Sequence, residues 1–402
     1  GGRQRDFLNT LTEVAGGGRH AREMGGVTHA LQGKGDGMEA VIEAMSQPDV
    51  AIVSMTVTEK GYCYMPSSGK LNPDHPDIVH DLENPTQPRS LPGLILAAIM
   101  RRRERGLTPF SVMSCDNMPE TGHVTRNVVT QLAERHSHEL AEYIQTHITF
   151  PSTMVDRIVP AMTDAAFDAL EARLGSSDPV AVEAEPFFQW VIEDNFVNGR
   201  PAWENAGAEL VSDVLPFEEM KLRMLNGSHS FLAYLGFLAG YEHISDCMAD
   251  NHFRTAARAL MLQDQAPTLR TQGVDLEAYA DSLIARYENR AIKHRTYQIA
   301  TDGTQKLPQR LLDSVRWHLR NGTPCDYLLL GVAGWMSFVS GVDEQGQTIA
   351  ILDPPNNPLA TYRAIRTHGA ARATGLDLFK SLACYTLRYQ PAFLPPLTQL
   401  LY

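Results

Sequence analysis

The chain has 402 residues, 43% of them hydrophobic and 20% charged, with 4 Trp, 13 Tyr and 14 Phe. That length and composition suit a folded protein of two or three domains and exclude disorder as the main state. A formal charge of −12, from 35 basic and 47 acidic side chains, argues against nucleic acid or an anionic membrane as a partner, so an anionic substrate needs a local group of cations.

The chain opens Gly1-Gly2-Arg3 without a methionine, and its first forty residues hold glycines but no clear strand. The N-terminus is therefore expected to be incomplete. The first strand signal is PDVAIVSMTVTEKGY, residues 48–62, a β-branched and nearly continuous apolar run of the kind buried on both faces of a parallel sheet. Glu59 and Lys60 fall at its C-terminal end. A helical stretch at 93–105 leads to a second strand, TPFSVMSCDN, and a helix at 124–138 leads to a third, HITFPSTMVDRIVP. Strand–helix–strand order predicts an open α/β sheet with crossover helices, whose ligands bind at the carboxyl ends of the strands. That rule gathers Glu59, Lys60, Asp116, Asn117, Asp156 and Arg157 at one crevice. Each of them singly also reads as a turn or cap residue.

Beyond about residue 205 the pattern changes. Residues 215–241, 252–265, 276–287, 308–320 and 327–340 all carry helical apolar spacing with few strand candidates between them, so the second half is expected to be mostly α-helical. Domains are expected at 1–210 and 211–402. From Pro354 onward the chain is rich in Pro, Thr and Leu without a period. The longest apolar run, 91–100, is about half the ~20 residues of a membrane span, and no secretory signal pattern opens the chain. The five cysteines, Cys63, Cys115, Cys247, Cys325 and Cys384, are scattered without a CxxC pair. Neither a disulfide framework nor a cysteine metal site is expected, and the compartment reads as reducing and cytoplasmic.

The segment that carries chemistry is KLRMLNGSH, residues 221–229. On an α-helix at about 100° per residue, Lys221, Asn226 and His229 stand at 0°, ~140° and ~80°, and they are expected to share a face. A buried lysine can move a proton where an arginine cannot. An asparagine amide can donate to an oxygen that gains negative charge, and an imidazole can hold a neighbouring hydroxyl. Together these suit hydride chemistry at a secondary alcohol or ketone with no metal. A surface helix with solvated Lys221 and His229 explains the spacing equally well.

Other candidates are weaker. Lys293, His294, Arg295, Lys306 and Arg310 concentrate positive charge, and Lys306 or Arg295 would suit a substrate carboxylate; a helix C-terminus favouring cations explains them as readily. His136 and His138 read as a solvated helix end. Cys115 beside Asp116 is disfavoured as a thiolate and reads as packing. Phe187, Phe188 and Trp190 read as core or domain-interface aromatics. Glu193 and Asp194 are adjacent and diverge on a regular element, which sets glycoside hydrolysis aside.

KLRMLNGSHSFLAYLGFLAGY, SCDNMPETGHV, FPSTMVDRIVP, EPFFQWVIEDNFVNGRP and DGTQKLPQR together resemble the polyol-specific long-chain dehydrogenase/reductase family, also called the mannitol dehydrogenase family, over residues 40 to 354. The resemblance implies an α/β Rossmann-type N-terminal domain that binds NAD, followed by a mostly α-helical C-terminal domain, with catalysis independent of metal. It implies Lys221 as general acid/base, Asn226 with Asn117 as the oxyanion-stabilising pair, and His229 as the group that orients substrate. Asp156 would line the substrate cleft, and Glu218 would modulate the lysine or its proton exit. Glu59, Lys60, Asp116 and Asn117 are the expected cofactor-side residues.

Within the family the wording points to a sugar acid, fructuronate and mannonate being the expected pair. Tagaturonate or a polyol such as mannitol stays open, as does a catalytically silent fragment. Three departures stand out. The family's first strand and Gly-rich pyrophosphate turn are not found, so the chain as it stands is expected to bind NADH weakly. Thr121 replaces the second Asn of the CDN motif, exchanging two amide donors for one hydroxyl. The last fifty residues do not follow the family's helical end.

Overall fold

The computed structural model of the protein describes residues 7–34, 37–65, 68–271, 273–343 and 345–352, apart from the side chain of Glu59. The expectations for the C-terminal fifty residues lie outside these. The chain divides into two compact units: Ala21–Glu218 with the residues up to Thr12, and Glu13–His20 with the residues from Glu219 onward.

The first forty residues hold two strands that were not expected from the sequence. β1 (Asn9–Ala15) and β2 (Gly18–Met24) form a hairpin, and β1 lies between β2 and β6 (Val182–Ala184) in a three-stranded sheet. β1 buries Thr10, Leu11, Thr12 and Val14, and two of these are threonines, so the apolar signal is diluted. β2, GRHAREM, is exposed along nearly its whole length and carries no periodic apolar face to reveal it.

The Rossmann-type half follows the expected strand–helix order. β3 (Ile52–Met55) pairs in parallel with β4 (Ser111–Ser114), Ile52 opposite Ser111 and Met55 opposite Ser114. The crossover between them contains α2 (Leu91–Glu104), which also packs against α1 (Met38–Met45). Its start is set locally: Ser90 Oγ accepts from Gly93 N at 3.0 Å, and Pro92 stands in the first turn, where a missing N–H costs nothing. Ile95 and Ile99 of α2 share one buried core with Phe110, Val112, Val128 and Leu132. The last two lie on α3 (Thr121–Glu134), which packs against α4 (His138–His147). Each aliphatic side chain so buried contributes about 1.5–3 kcal/mol.

The third expected strand forms, as β5 (Thr153–Asp156), but it does not extend a parallel ladder. β5 pairs antiparallel with β7 (Gln189–Glu193), which pairs in parallel with β8 (Glu209–Val211). Strand direction is decided by a partner more than thirty residues away, whose buried Val191 and Ile192 stand opposite the buried Met154 and Thr153. Periodicity within one segment does not report it. β5 still joins β4 through Thr153 Oγ1, which donates to Ser114 O at 2.7 Å.

The second unit is helical. α8 (Leu276–Tyr287) spans the residues that the spacing indicates. α6 (Gly227–Leu238) and α10 (Asp326–Val339) pack on one another and are buried on most faces, so neither shows a wide polar stripe. Three other helical runs are interrupted. α5 (Leu215–Met220) and α6 are joined by a π-helical turn, Lys221–Asn226. α7 (Asn251–Ala259) ends in a second π turn, Leu260–Gln265, and α9 (Asp313–Asn321) begins from a third, Pro308–Leu312. Among the described residues no helix is long and apolar enough to cross a membrane.

Candidate active site

The first π turn changes the geometry expected of KLRMLNGSH. Gly227 N donates to Leu222 O, five residues back, so the segment winds at roughly 80° per residue instead of 100°. Five ideal steps at that pitch place Asn226 about 40° from Lys221, and three ideal α-helical steps return His229 to nearly the direction of Lys221. The ~140° separation of a regular α-helix does not apply across this turn, since it holds one residue more per backbone bond. All three are buried, Lys221 7%, Asn226 6% and His229 6% exposed, so they do not form a solvated surface face.

Each brings a distinct capacity. The Asn226 Nδ2 donor is buried with no hydrogen-bond partner among the described residues, a cost that a ligand oxygen would relieve. The His229 ring stacks on Tyr287, centroids 4.6 Å apart, and meets His294 edge-to-face at 4.9 Å. Burial lowers the His229 pKa well below its ordinary value, with the charges of His294, Arg310 and Arg286 adding to the effect. The imidazole is therefore neutral, with one donor and one acceptor nitrogen.

The positive cluster does not act as one patch. Burial lowers the His294 pKa as well. Arg310 Nη1 donates to Ser230 Oγ at 3.2 Å, and Lys306 Nζ donates to Thr301 O at 2.7 Å. Arg295 is 66% exposed and stands 3.8 Å from Glu242. Of the two carboxylate-binding candidates, Lys306 is the more enclosed.

In the first unit, Asp116 follows β4 with its carboxylate engaged: it accepts from Val57 N at 3.0 Å, from Thr58 N at 2.9 Å and from the Tyr62 hydroxyl at 2.5 Å. Asp116 thus pins the loop after β3, where Thr58 holds a φ of 66°. Asn117 and Lys60 are exposed, and the Glu59 side chain lies outside the described residues. Asp156 is buried at the end of β5, and Arg157 Nε donates to Glu185 O at 3.0 Å. Glu218 is 5% exposed, and its Oε2 accepts from Glu120 N, the residue before α3, at 2.9 Å. Thr121, first in α3, buries its Oγ1 without a partner among the described residues.

The Cys115 thiol is pushed up chiefly by burial, with Asp116 a lesser cause. His138 meets Glu134 and Glu142 on an exposed helix face. Trp190 packs against Trp203 at 5.2 Å, but Phe188 is 45% exposed and is no core residue, because it precedes β7 with its side chain turned outward. Glu193 Oε2 accepts from Ser152 N, and Asp194 pairs with Arg200. Tyr287 escaped the sequence reading: it lies nearly sixty residues from His229, and no local spacing links them.

The profile of the Mannitol dehydrogenase Rossmann domain matches residues 3–205, and that of the Mannitol dehydrogenase C-terminal domain matches residues 213–375. The uncharacterized oxidoreductase YdfI of Escherichia coli (strain K12) is 57% identical over 94% of this chain and 78% of its own length. The D-mannonate oxidoreductase of the same strain is 52% identical over 94% of this chain and 77% of its own length. Among solved structures, Pseudomonas fluorescens mannitol 2-dehydrogenase, in a ternary complex with NAD and D-mannitol, superposes with a TM-score of 0.84 at 36% identity, covering 100% of this chain and 80% of that one.

Proposed function

The chain belongs to the mannitol dehydrogenase family, and on that premise we propose that it is an NAD-dependent oxidoreductase interconverting a keto-sugar acid and its hydroxy acid, fructuronate and mannonate. The observation that carries the reading is the buried grouping of Lys221, Asn226 and His229 on the first π turn and the start of α6. The 52% identity to a D-mannonate oxidoreductase supports the sugar-acid choice.

The residues at the carboxyl ends of β3 and β4 suit a dinucleotide. Asp116 fixes the loop after β3 from behind, leaving Lys60 and Asn117 exposed, and the unpartnered Thr121 hydroxyl sits at the first turn of α3, where the helix dipole favours an anion. Lys60, Asn117 and Thr121 would hold the cofactor. When bound, NADH supplies a hydride to the substrate carbonyl carbon.

In the direction of reduction, Lys221 gives a proton to the carbonyl oxygen, which becomes the new hydroxyl, and the neutral lysine recovers its proton from solvent. In oxidation the lysine takes that proton. The Asn226 amide donates to the same oxygen as its charge changes. Neutral His229 bonds a neighbouring hydroxyl and fixes which carbon presents its carbonyl. Lys306 meets the carboxylate as a point charge.

The test is a panel of fructuronate, tagaturonate, fructose and mannitol with NADH or NAD and their phosphorylated counterparts. Efficient reduction of fructuronate with NADH is expected. A kcat/KM for fructose or tagaturonate above that for fructuronate would replace the substrate, and no turnover of any would leave a silent protein.

A further inference from the structure

The three π turns of the second unit are brought to one point. The first packs against both the second and the third, and each contains a backbone bond across five residues: Gly227 N to Leu222 O, Ala266 N to Met261 O, and Asp313 N to Pro308 O. A Cβ on Gly227, the residue that closes the first turn, would lie 2.8 Å from Gln265 Nε2 and 2.9 Å from Arg310 O. The space that glycine leaves is occupied by a carboxamide from the second turn and a carbonyl from the third.

That carboxamide is Gln265, fully buried at 0% exposure. Its Nε2 donates to Arg310 O at 2.8 Å, and its Oε1 accepts from Ser314 Oγ at 2.5 Å. Its own carbonyl accepts from Thr268 Oγ1 at 2.7 Å, and Thr268 O in turn accepts from Arg223 Nη1, within the first turn, at 2.6 Å. A π turn has one residue more than an α-helical turn and poorer backbone geometry, so it persists where surrounding structure holds it. Here the surrounding structure includes an amide satisfied at both ends.

We infer that Gln265 is a positioning residue: by bonding Arg310 O and filling the space beside Gly227, it holds Lys221–Asn226 in the five-residue register that turns the lysine and the asparagine to one side. It touches no reacting atom. Without its donor, Arg310 O loses a buried partner, and the first turn is free to relax to the α-helical register, in which Lys221 and Asn226 diverge by ~140°.

The inference rests on the proposed roles of Lys221 and Asn226 for its kinetic arm and stands apart from them in its structural arm. Gln265→Met in the full chain keeps the side-chain length and removes both bonds, and Ser314→Ala removes the bond that orients the carboxamide together with a longer contact to Thr268 Oγ1 at 3.4 Å. With fructuronate and deuterium-labelled NADH, Gln265→Met is expected to lower kcat at least tenfold with KM changed less than threefold. It should also raise the isotope effect on kcat, because a misaligned proton donor makes chemistry the slow step. Ser314→Ala should show the same signature more weakly, and it decides the matter if Gln265→Met does not fold. A crystal structure of either variant should show residues 221–226 wound as an α-helix. The inference is overturned by a retained π turn, or by activity that falls only in proportion to folded protein with the isotope effect unchanged. If the unaltered protein turns over none of the sugars, the proposed function fails, and the crystal structures alone decide the role of Gln265.

Discussion

Tyr287 lies nearly flat against His229, the planes 27° apart, while its hydroxyl donates to Leu225 O at 2.9 Å and contacts Ser228 Oγ at 2.8 Å. One side chain thus sets the plane of the imidazole and anchors a carbonyl within the first π turn. Tyr287→Phe keeps the stack and deletes the bonds, leaving buried polar groups short of a partner at a cost of about 1–3 kcal/mol. A lower melting temperature with a near-normal KM is expected for Phe, and a raised KM for Tyr287→Ala, which also frees His229. Thermal melts and steady-state kinetics of the two variants check this; an unchanged melt for Tyr287→Phe would refute it.

Replacing Lys221 with Ala should lower turnover by at least ~10²-fold, the lower end for a general acid/base. A small external amine should restore part of the loss, since the side-chain volume it would fill is buried. Near-normal turnover of Lys221→Ala would remove the lysine from the mechanism.

Asn226→Ala and Asn117→Ala should each depress kcat more than they raise KM, because a donor to a developing oxyanion acts mainly in the transition state and is worth on the order of 3 kcal/mol. Intact kcat with a raised KM in either variant would reassign that amide to ground-state binding.

The lowered His229 pKa makes stability depend on pH with a definite sign. The unfolded imidazole takes a proton near 6.5, and the folded one only well below that. Stability at higher pH is therefore unaffected by this group and falls as pH drops from about 6.5 toward the folded value, with a slope approaching ~1.4 kcal/mol per pH unit from this one proton. His294, lowered by burial, acts in the same direction. Urea unfolding at pH 7.5 and 5.5 should show the loss, and His229→Gln should flatten it. Equal slopes in the two proteins would count against a buried neutral His229.

Gly122, in the first turn of α3, has no room for a side chain: a Cβ there would lie 2.2 Å from Phe150 O and 2.7 Å from Ser152 Oγ. Since one contact is backbone, relief requires moving the helix start away from the segment that leads into β5. Gly122→Ala is expected to destabilise the protein by about 1–3 kcal/mol or more. A melting temperature equal to that of the unaltered chain would show that the helix shifts at little cost.

Local patterns were legible wherever one segment's own side chains carry the signal. The buried run at β3, the strand at β4 and α8 follow from periodicity, and the kinds of chemistry available to Lys221, Asn226 and His229 follow from their side chains. The hairpin β1–β2 and the direction of β5 were not legible, because β2 has no buried face and β5 takes its direction from a remote partner. The relation among the three catalytic candidates belongs with these. Residues 215–241 read as one helix by spacing, and nothing in that stretch distinguishes four residues per backbone bond from five. The extra residue is held by Gln265, Arg310 and Ser314, which the chain supplies from 35 or more positions away. Residue type and order determined what Lys221, Asn226 and His229 can do. Tertiary packing around Gly227 decided the π register between Lys221 and Asn226, since only contacts remote in sequence can stabilise a turn that the helix's own hydrogen bonds do not favour.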